Sequence, residues 1–472
     1  MSHSTTVVAA PLHRRRTRML TLLAVGAVLA GCTGGQSELT APPSSTSTTA
    51  APTSTTTTTV PTTTTTEPTT TTTIEPAVAT LATMTLEQKV GQLLMPVIGG
   101  TTADDSGSSL AAVHAGGVIY LGNNITDADQ LTALSAGLQD RAVADTGVGL
   151  LVAVDQEGGR VVRVRDQVTV LPSARSYDGD VAAAAADATL SGSELRLQGI
   201  NMVLAPVADL TDSTTSVIGN RSYSVDPLVA SAMVSAVVDG YQAAGAASVV
   251  KHWPGHGPTE VDSHQSLPTL GISVEQWRAV DRVPFVAALD AGVDAVMVGH
   301  LAFPALDPSG DPATISPIVV QQELRDVLGF DGVVMTDALD MGAVDTLGSG
   351  ELAVRSILAG VDLLLAPTDV EAAAAGLLAA VADGRLTEER IDQSVLRVLR
   401  LKAALGLPVG PAPIPPEPGP ADTTATEDTT TESTITDTTP EDTTTTTADD
   451  TGNTTVTTAN DTGDDSGGEG EP

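Results

Sequence analysis

The sequence predicts an α/β protein whose ordered part is a single (β/α)8 TIM barrel, flanked by disordered N- and C-terminal tails. Three observations lead there. Eight short apolar runs alternate with Ala-rich helical stretches across residues 79–408. Hydrophobic residues make up 41% of the 472, yet there are only 3 Phe, 4 Tyr and 2 Trp, so the core must be aliphatic, as suits parallel strands covered by helices. Polar residues recur where the apolar runs end. Periodicity alone leaves a doubly wound open sheet as an alternative; the recurring polar ends favour the barrel, whose strands bring those ends to one face.

Taken in order, residues 1–31 read as a lipoprotein signal peptide. The basic cluster Arg14, Arg15, Arg16 and Arg18 precedes the apolar run MLTLLAVGAVLA. That run is shorter than the about 20 residues a membrane span needs. Leu29-Ala30-Gly31-Cys32 resembles a bacterial lipobox, with cleavage before Cys32 and acylation of it. The expected location is therefore extracytoplasmic, lipid-anchored at Cys32 to the outer face of the cell membrane. Cys32 is the single cysteine, which excludes a disulfide framework and any thiolate metal site.

Residues 32–78 form a Thr/Ser/Pro-rich tether and residues 409–472 an acidic, Thr-rich tail, both too poor in apolar clusters to offset the entropy of ordering. Their density of Thr suggests O-glycosylation. The tail carries 15 Asp and Glu and no Lys or Arg, but most of the formal charge of −36 stays on the segment between. Such a charge disfavours nucleic acid or an anionic surface as a partner.

Within 79–408, Thr85-Leu86-Glu87-Gln88 is a capping-box helix start. The apolar runs are LLMPVIG from Leu93, GVIYLG from Gly117, GLLVAVD from Gly149, MVLAPVAD from Met202, ASVVKH from Ala247, AVMVGH from Ala295, GVVMTD from Gly332 and LLLAP from Leu363. TEERIDQSVLRVLRLKAALG reads as the final helix, capped by Thr387, with its arginines on a solvated face. Asp155, Asp209, Lys251 with His252, His300 and Asp337 each close an apolar run, so one pocket is expected to collect them.

The densest stretch is Lys251–Pro268, KHWPGHGPTEVDSHQSLP. Asp262 and His264 are two residues apart and point the same way if the segment is extended; a carboxylate on one imidazole nitrogen fixes the tautomer and leaves the other to exchange a proton. The alternative is a pair of loop residues making turn hydrogen bonds. His252 and His256 have a zinc-like spacing, but Pro254 and Gly255 break the helix it would need, and no metal or cofactor is expected. No phosphate-binding glycine loop is present. Asp337 closes a strand and precedes ALDMGAV, which looks helical, so it is either a site carboxylate or an N-cap; Asp340 competes with it. In DQEGGRV, Asp155 suits sugar hydroxyls, while Glu157 and Arg160 read as a structural ion pair. Arg221 sits in a polar segment that could reach the pocket.

DQEGGRV, VIGNRSY, KHWPGHGPTEVDSHQSLP and GVVMTDALDMGAV, in this order, resemble glycoside hydrolase family 3, specifically its bacterial β-N-acetylglucosaminidases, over about residues 79–408. The resemblance implies a TIM barrel and a retaining mechanism through a covalent glycosyl-enzyme. By position it places the nucleophile on Asp337, the acid/base on His264 oriented by Asp262, and substrate contacts on Asp155, Arg221, Lys251 and His252, with lesser claims for Arg163 and Asp209. The pattern departs at Thr336-Asp337-Ala338-Leu339-Asp340, where relatives have Ser-Asp-Asp-Leu-Ser, and at Asn220, where they often have Asp. What it implies is a monomeric enzyme removing terminal N-acetylglucosamine from a carbohydrate such as a cell-wall fragment. A β-glucosidase, a phosphorylase or an inactive sugar-binding lipoprotein are the alternatives.

Overall fold

Strands form where Val, Ile, Leu, Ala and Met run without interruption, because both faces of the sheet are covered. The computed structural model describes residues 75–411 apart from 258. The expected signal peptide, Cys32, most of the tether and the tail beyond 411 lie outside the described residues. In chain order the strands are β1 (Leu94–Met95), β2 (Gly117–Tyr120), β3 (Leu151–Val154), β4 (Gln156–Gly158), β5 (Val161–Val162), β6 (Met202–Val203), β7 (Ala247–Trp253), β8 (Ala295–Val298), β9 (Val333–Thr336) and β10 (Leu364–Leu365). Each of the eight apolar runs holds one strand. The extra pair, β4 and β5, forms a small antiparallel hairpin.

Six strands pair in the order β2-β3-β6-β7-β8-β9, all parallel, with Val118 opposite Val152 and Met297 opposite Met335. β1 pairs in parallel with β10, Leu94 opposite Leu364. Single parallel bridges, Val97 to Ile119 and Met335 to Leu363, link that pair to β2 and to β9. The result is an α/β fold built on a curled parallel sheet.

Alternation along each strand divides the core in two. Met95, Leu151, Ala153, Met202, Val249, Met297 and Met335 point inward to one cluster. Val118, Val152, Val154, Val250, Val296 and Val334 point outward to the helices. Val398 and Leu401 of the last helix, Glu388–Ala404, join the inner cluster. Truncating an inner residue such as Met335 to Ala costs about 2–5 kcal/mol. The surrounding helices start on side chains that accept an otherwise unpaired N–H: Thr85, Asp127, Asp180, Asp226, Ser273, Asp369 and Thr387.

Three expectations are corrected. The arginines of the last helix are not all solvated: Arg390 and Arg397 reach the buried Asp362 at 3.8 and 3.3 Å, because Asp362 at the entry to β10 needs cations to offset its burial. ALDMGAV is not a helix, and the next helix begins at Ser349. The packed body is also longer than 79–408. The helix Pro76–Leu81 buries Ala77 and Thr80, and Val409 bridges Val148 while Gly410 N–H donates to Gly147 O at 3.2 Å.

Candidate active site

The C-terminal ends of the strands open into one cleft of about 1030 Å³, a volume that includes its mouth. Asp155, Arg163, Arg221, Lys251, His252, His264, Asp337 and Asp340 all line it. The inner-core residues Leu204, Met297 and Leu365 line it too, so the cleft ends on the packing inside the sheet. Behind the 251–257 turn stand both tryptophans and two of the three phenylalanines, Phe285 and Phe303. Trp253 meets Trp277 and Phe285 edge to face at 5.5 Å each, and both indole N–H groups donate to backbone carbonyls. That packing leaves the turn little freedom.

On one side, charge pairing fixes the polar side chains. Lys251 Nζ lies 2.8 Å from Asp155 Oδ1 and 2.7 Å from Glu157 Oε1. Arg221, on a 3-10 turn at Gly219–Arg221, donates through Nε and Nη2 to both Glu157 oxygens at 2.7 and 2.8 Å, and its Nη2 is 3.4 Å from His252 Nε2. Arg163 Nη2 stands 3.7 Å from Asp155 Oδ2. Burial opposes the charge on Glu157, but Lys251 and Arg221 overcome it and hold the carboxyl far below its ordinary range. Lys251 is likewise buried, and its two carboxylates keep it protonated. Asn220 is exposed, so the grip on Arg221 comes from Glu157.

Asp209 is buried beneath this group. Its carboxylate takes His252 Nδ1 at 2.6 Å and the His256 backbone N–H at 2.6 Å. Burial alone would raise its pKa; the two histidines hold it low.

Asp337 follows β9 directly, its backbone N–H donating to Val298 O at 2.9 Å and its Oδ1 accepting from Ala338 N at 2.9 Å. With no helix following it, the N-cap reading falls away. Burial works against its ionisation, but His252 and His300 nearby hold the pKa below the usual value. His300 itself is buried, bonded to Thr314 Oγ1 at 2.6 Å and to Ala338 O at 2.9 Å. Asp340 is exposed at the rim.

Across the cleft, His264 Nδ1 lies 2.8 Å from Asp262 Oδ1. As the carboxylate can only accept, Nδ1 carries the proton and Nε2 is left to exchange one. Burial would raise the Asp262 pKa, but the hydrogen bonds from His264 keep it low. Two backbone bonds tie this loop to the segment after Asp337: Gly342 N–H to His264 O and Ala343 N–H to Ser263 O, both 3.1 Å. The cleft therefore joins an ionised carboxylate, an oriented imidazole and a cationic cluster. That set can attack an electrophilic carbon, pass a proton to a leaving oxygen and bind hydroxyls.

Two lining residues escaped the sequence reading. Glu157 pairs with Lys251 and Arg221 rather than with Arg160, whose Nη2 donates to the Val217 and Ile218 carbonyls. The available signal was its place two residues after Asp155, and the hairpin turn at Gly158 and Gly159, with φ of 97° and 57°, is what folds it back. His256, weighed in the sequence only as half of a zinc-like spacing, is buried against the cleft.

The model of the glycosyl hydrolase family 3 N terminal domain matches residues 85–401. "Beta-hexosaminidase A" of Pseudoalteromonas piscicida is 32% identical over 376 residues, covering 70% of this chain and 63% of its own. The structure of a glycoside hydrolase family 3 β-N-acetylglucosaminidase from Paenibacillus sp. str. FPU-7 superposes with a TM-score of 0.67 at 44% identity, covering 68% of this chain and 63% of that one. The β-N-acetylhexosaminidase from Beutenbergia cavernae DSM 12333 gives a TM-score of 0.63 at 32% identity, covering 68% of this chain and 99% of its own. The chain thus spans less than two thirds of the length of the first two of these relatives. With a curled parallel sheet, a cleft at its strand ends and a family match over most of the described residues, the chain belongs to glycosyl hydrolase family 3.

Proposed function

We propose that the protein is an exo-acting, retaining β-N-acetylglucosaminidase that removes terminal N-acetylglucosamine from cell-wall fragments. The observation that carries the reading is the placement of Asp337 and the Asp262–His264 pair on two interlaced loops around one cleft. The names of the relatives support the sugar. In the first step an Asp337 oxygen bonds to the anomeric carbon. The glycosidic C–O bond breaks, and the proton on His264 Nε2 passes to the leaving oxygen. In the second step water attacks the same carbon, gives a proton back to Nε2, and the ester to Asp337 breaks. Most retaining enzymes use a second carboxyl group here; an imidazole repels an anionic acceptor less, so phosphate is a competing acceptor. Asp155, Lys251, Arg221 and His252 are proposed to hold the sugar hydroxyls, their hydrogen-bonding atoms already oriented by one another.

The wider frame is proposed on the same terms. The eight strands form one (β/α)8 barrel, supported by the parallel bridges that link β1 and β10 to their neighbours. Export and lipid anchoring at Cys32 are supported by the basic and apolar pattern before it. The deciding experiment assays the full chain on aryl β-N-acetylglucosaminide and aryl β-glucoside, with and without phosphate, and follows the anomeric configuration of the first product. Absence of turnover on both sinks the glycosidase reading, and a phosphate-dependent sugar phosphate replaces hydrolysis by phosphorolysis.

A further inference from the structure

The loop that carries His264 is mostly exposed: Glu260, Val261, His264, Gln265 and Ser266 all face solvent. Thr259 and Ser263 are the exceptions, 9% and 4% exposed, and both turn their hydroxyls to one buried imidazole. Thr259 Oγ1 is 2.6 Å from His256 Nδ1, and Ser263 Oγ is 3.4 Å from His256 Nε2. His256 is 2% exposed, and its backbone N–H is held by Asp209, the carboxylate that also orients His252.

The hydrogen-bond assignment follows from counting donors. Thr259 has one hydroxyl hydrogen, and the His256 carbonyl, 2.9 Å away, accepts it. Oγ1 is then the acceptor for Nδ1–H, which leaves Nε2 to accept from Ser263. Burial lowers the His256 pKa, in keeping with a neutral ring that donates on one side and accepts on the other.

We propose that His256 is a positioning residue, the post to which the exposed acid/base loop is pegged through Thr259 and Ser263, so that it sets where His264 presents Nε2. The proposal rests on the reading of His264 as the acid/base. By this route Asp209 couples the sugar side of the cleft, through His252, to the proton-transfer side, through His256. A direct part in proton transfer is not assigned to His256, because both of its ring nitrogens are engaged by the loop.

The test compares wild type with His256→Gln and with the double variant Thr259→Val/Ser263→Ala, which removes the pegs and leaves the imidazole. Two substrates are used: the dinitrophenyl β-N-acetylglucosaminide, whose leaving group needs little protonation, and the methyl glycoside, which needs it fully. General acid catalysis is worth 10²–10⁴-fold, so kcat/KM for the methyl glycoside should fall at least about tenfold further than for the dinitrophenyl one in both variants. In a His264→Ala background the extra loss should vanish, because the post acts only through that residue. An equal fall on both substrates, or an undiminished effect in the His264→Ala background, overturns the proposal. Amide exchange gives an arm independent of activity: residues 259–267 should exchange faster in both variants while the strands do not, and unchanged exchange overturns the proposal as well. A wild type that turns over neither substrate sinks the glycosidase reading instead, and the exchange arm still decides whether His256 pegs the loop.

Discussion

The Asp209 carboxylate meets His252 Nδ1 at 2.6 Å with its side chain fully buried, so the imidazole that lines the cleft has its tautomer fixed from below. Asparagine at 209 keeps the volume but supplies only one acceptor oxygen, and its amide N–H groups face donors. Asp209→Asn should lower kcat/KM by on the order of tenfold or more while leaving the far-ultraviolet spectrum unchanged. Steady-state kinetics within twofold of wild type would remove Asp209 from the working site.

Two carboxylates, Asp337 and Asp340, face the same cleft, but the strand end holds only the first. If Asp337 is the nucleophile proposed above, Asp337→Asn should lower turnover by on the order of 10⁴ or more, with the melting temperature nearly unchanged. Asp340→Asn should retain most of the activity. The reverse ranking would transfer the nucleophile to Asp340.

Glu157 is the hub of the cationic side, pairing with both Lys251 and Arg221 at 2.7 Å. Glu157→Gln leaves a buried cation pair short of one negative charge, which costs about 3–5 kcal/mol. The linkage has a definite sign. The folded pKa of Glu157 is depressed, so its stabilisation is complete above the unfolded value of about 4.3 and is lost as pH falls through the folded one. Denaturation curves should therefore show wild type losing stability below about pH 4 more steeply than Glu157→Gln. Parallel curves would refute the assignment.

What could be read from the sequence divides by range of interaction. The eight strands were legible because burial on both faces makes each an uninterrupted apolar run, and the helix starts at Thr85 and Thr387 because capping is local. Asp262 and His264 were legible for the same reason. Glu157 was not, since its partners lie 64 and 94 positions away and only the β4–β5 turn directs it to them. The residues after Asp337 looked helical because ALDMGAV has helical propensity. In the fold, Gly342 and Ala343 give their N–H groups to the His264 loop, a tertiary demand that outweighs that preference. The arginines of the last helix misled similarly. Arg390 and Arg397 are drawn inward by Asp362, whose role no local pattern reveals.

Gly342 is one of the two points where the segment after Asp337 is bonded to the His264 loop. A Cβ placed there would stand 2.9 Å from both the His264 and the Gln265 carbonyl oxygens, so alanine must push the loop away. Gly342→Ala should reduce turnover of a poorly activated glycoside by about tenfold or more and spare a well-activated one, since acid assistance is what the displaced His264 would fail to give. Equal activity on both substrates would show that the loop adapts freely.

Lys402 is fully buried on the last helix, where its Nζ bonds Gln92 Oε1 at 2.5 Å and, among the described residues, no carboxylate. Burial pushes its pKa down to about 7. An unfolded lysine titrates near 10.4, so between pH 7 and 10 the unfolded chain holds a proton that the folded one has released. Stability must then rise with pH across that window, the same sign of slope that the depressed carboxylates give at acid pH. Lys402→Met, which fills similar space without a charge, should remove the rise. Urea midpoints at pH 7 and pH 9 decide it: wild type should gain over this interval relative to Lys402→Met, and an identical pH response in the two proteins would mean that the buried amine stays protonated throughout.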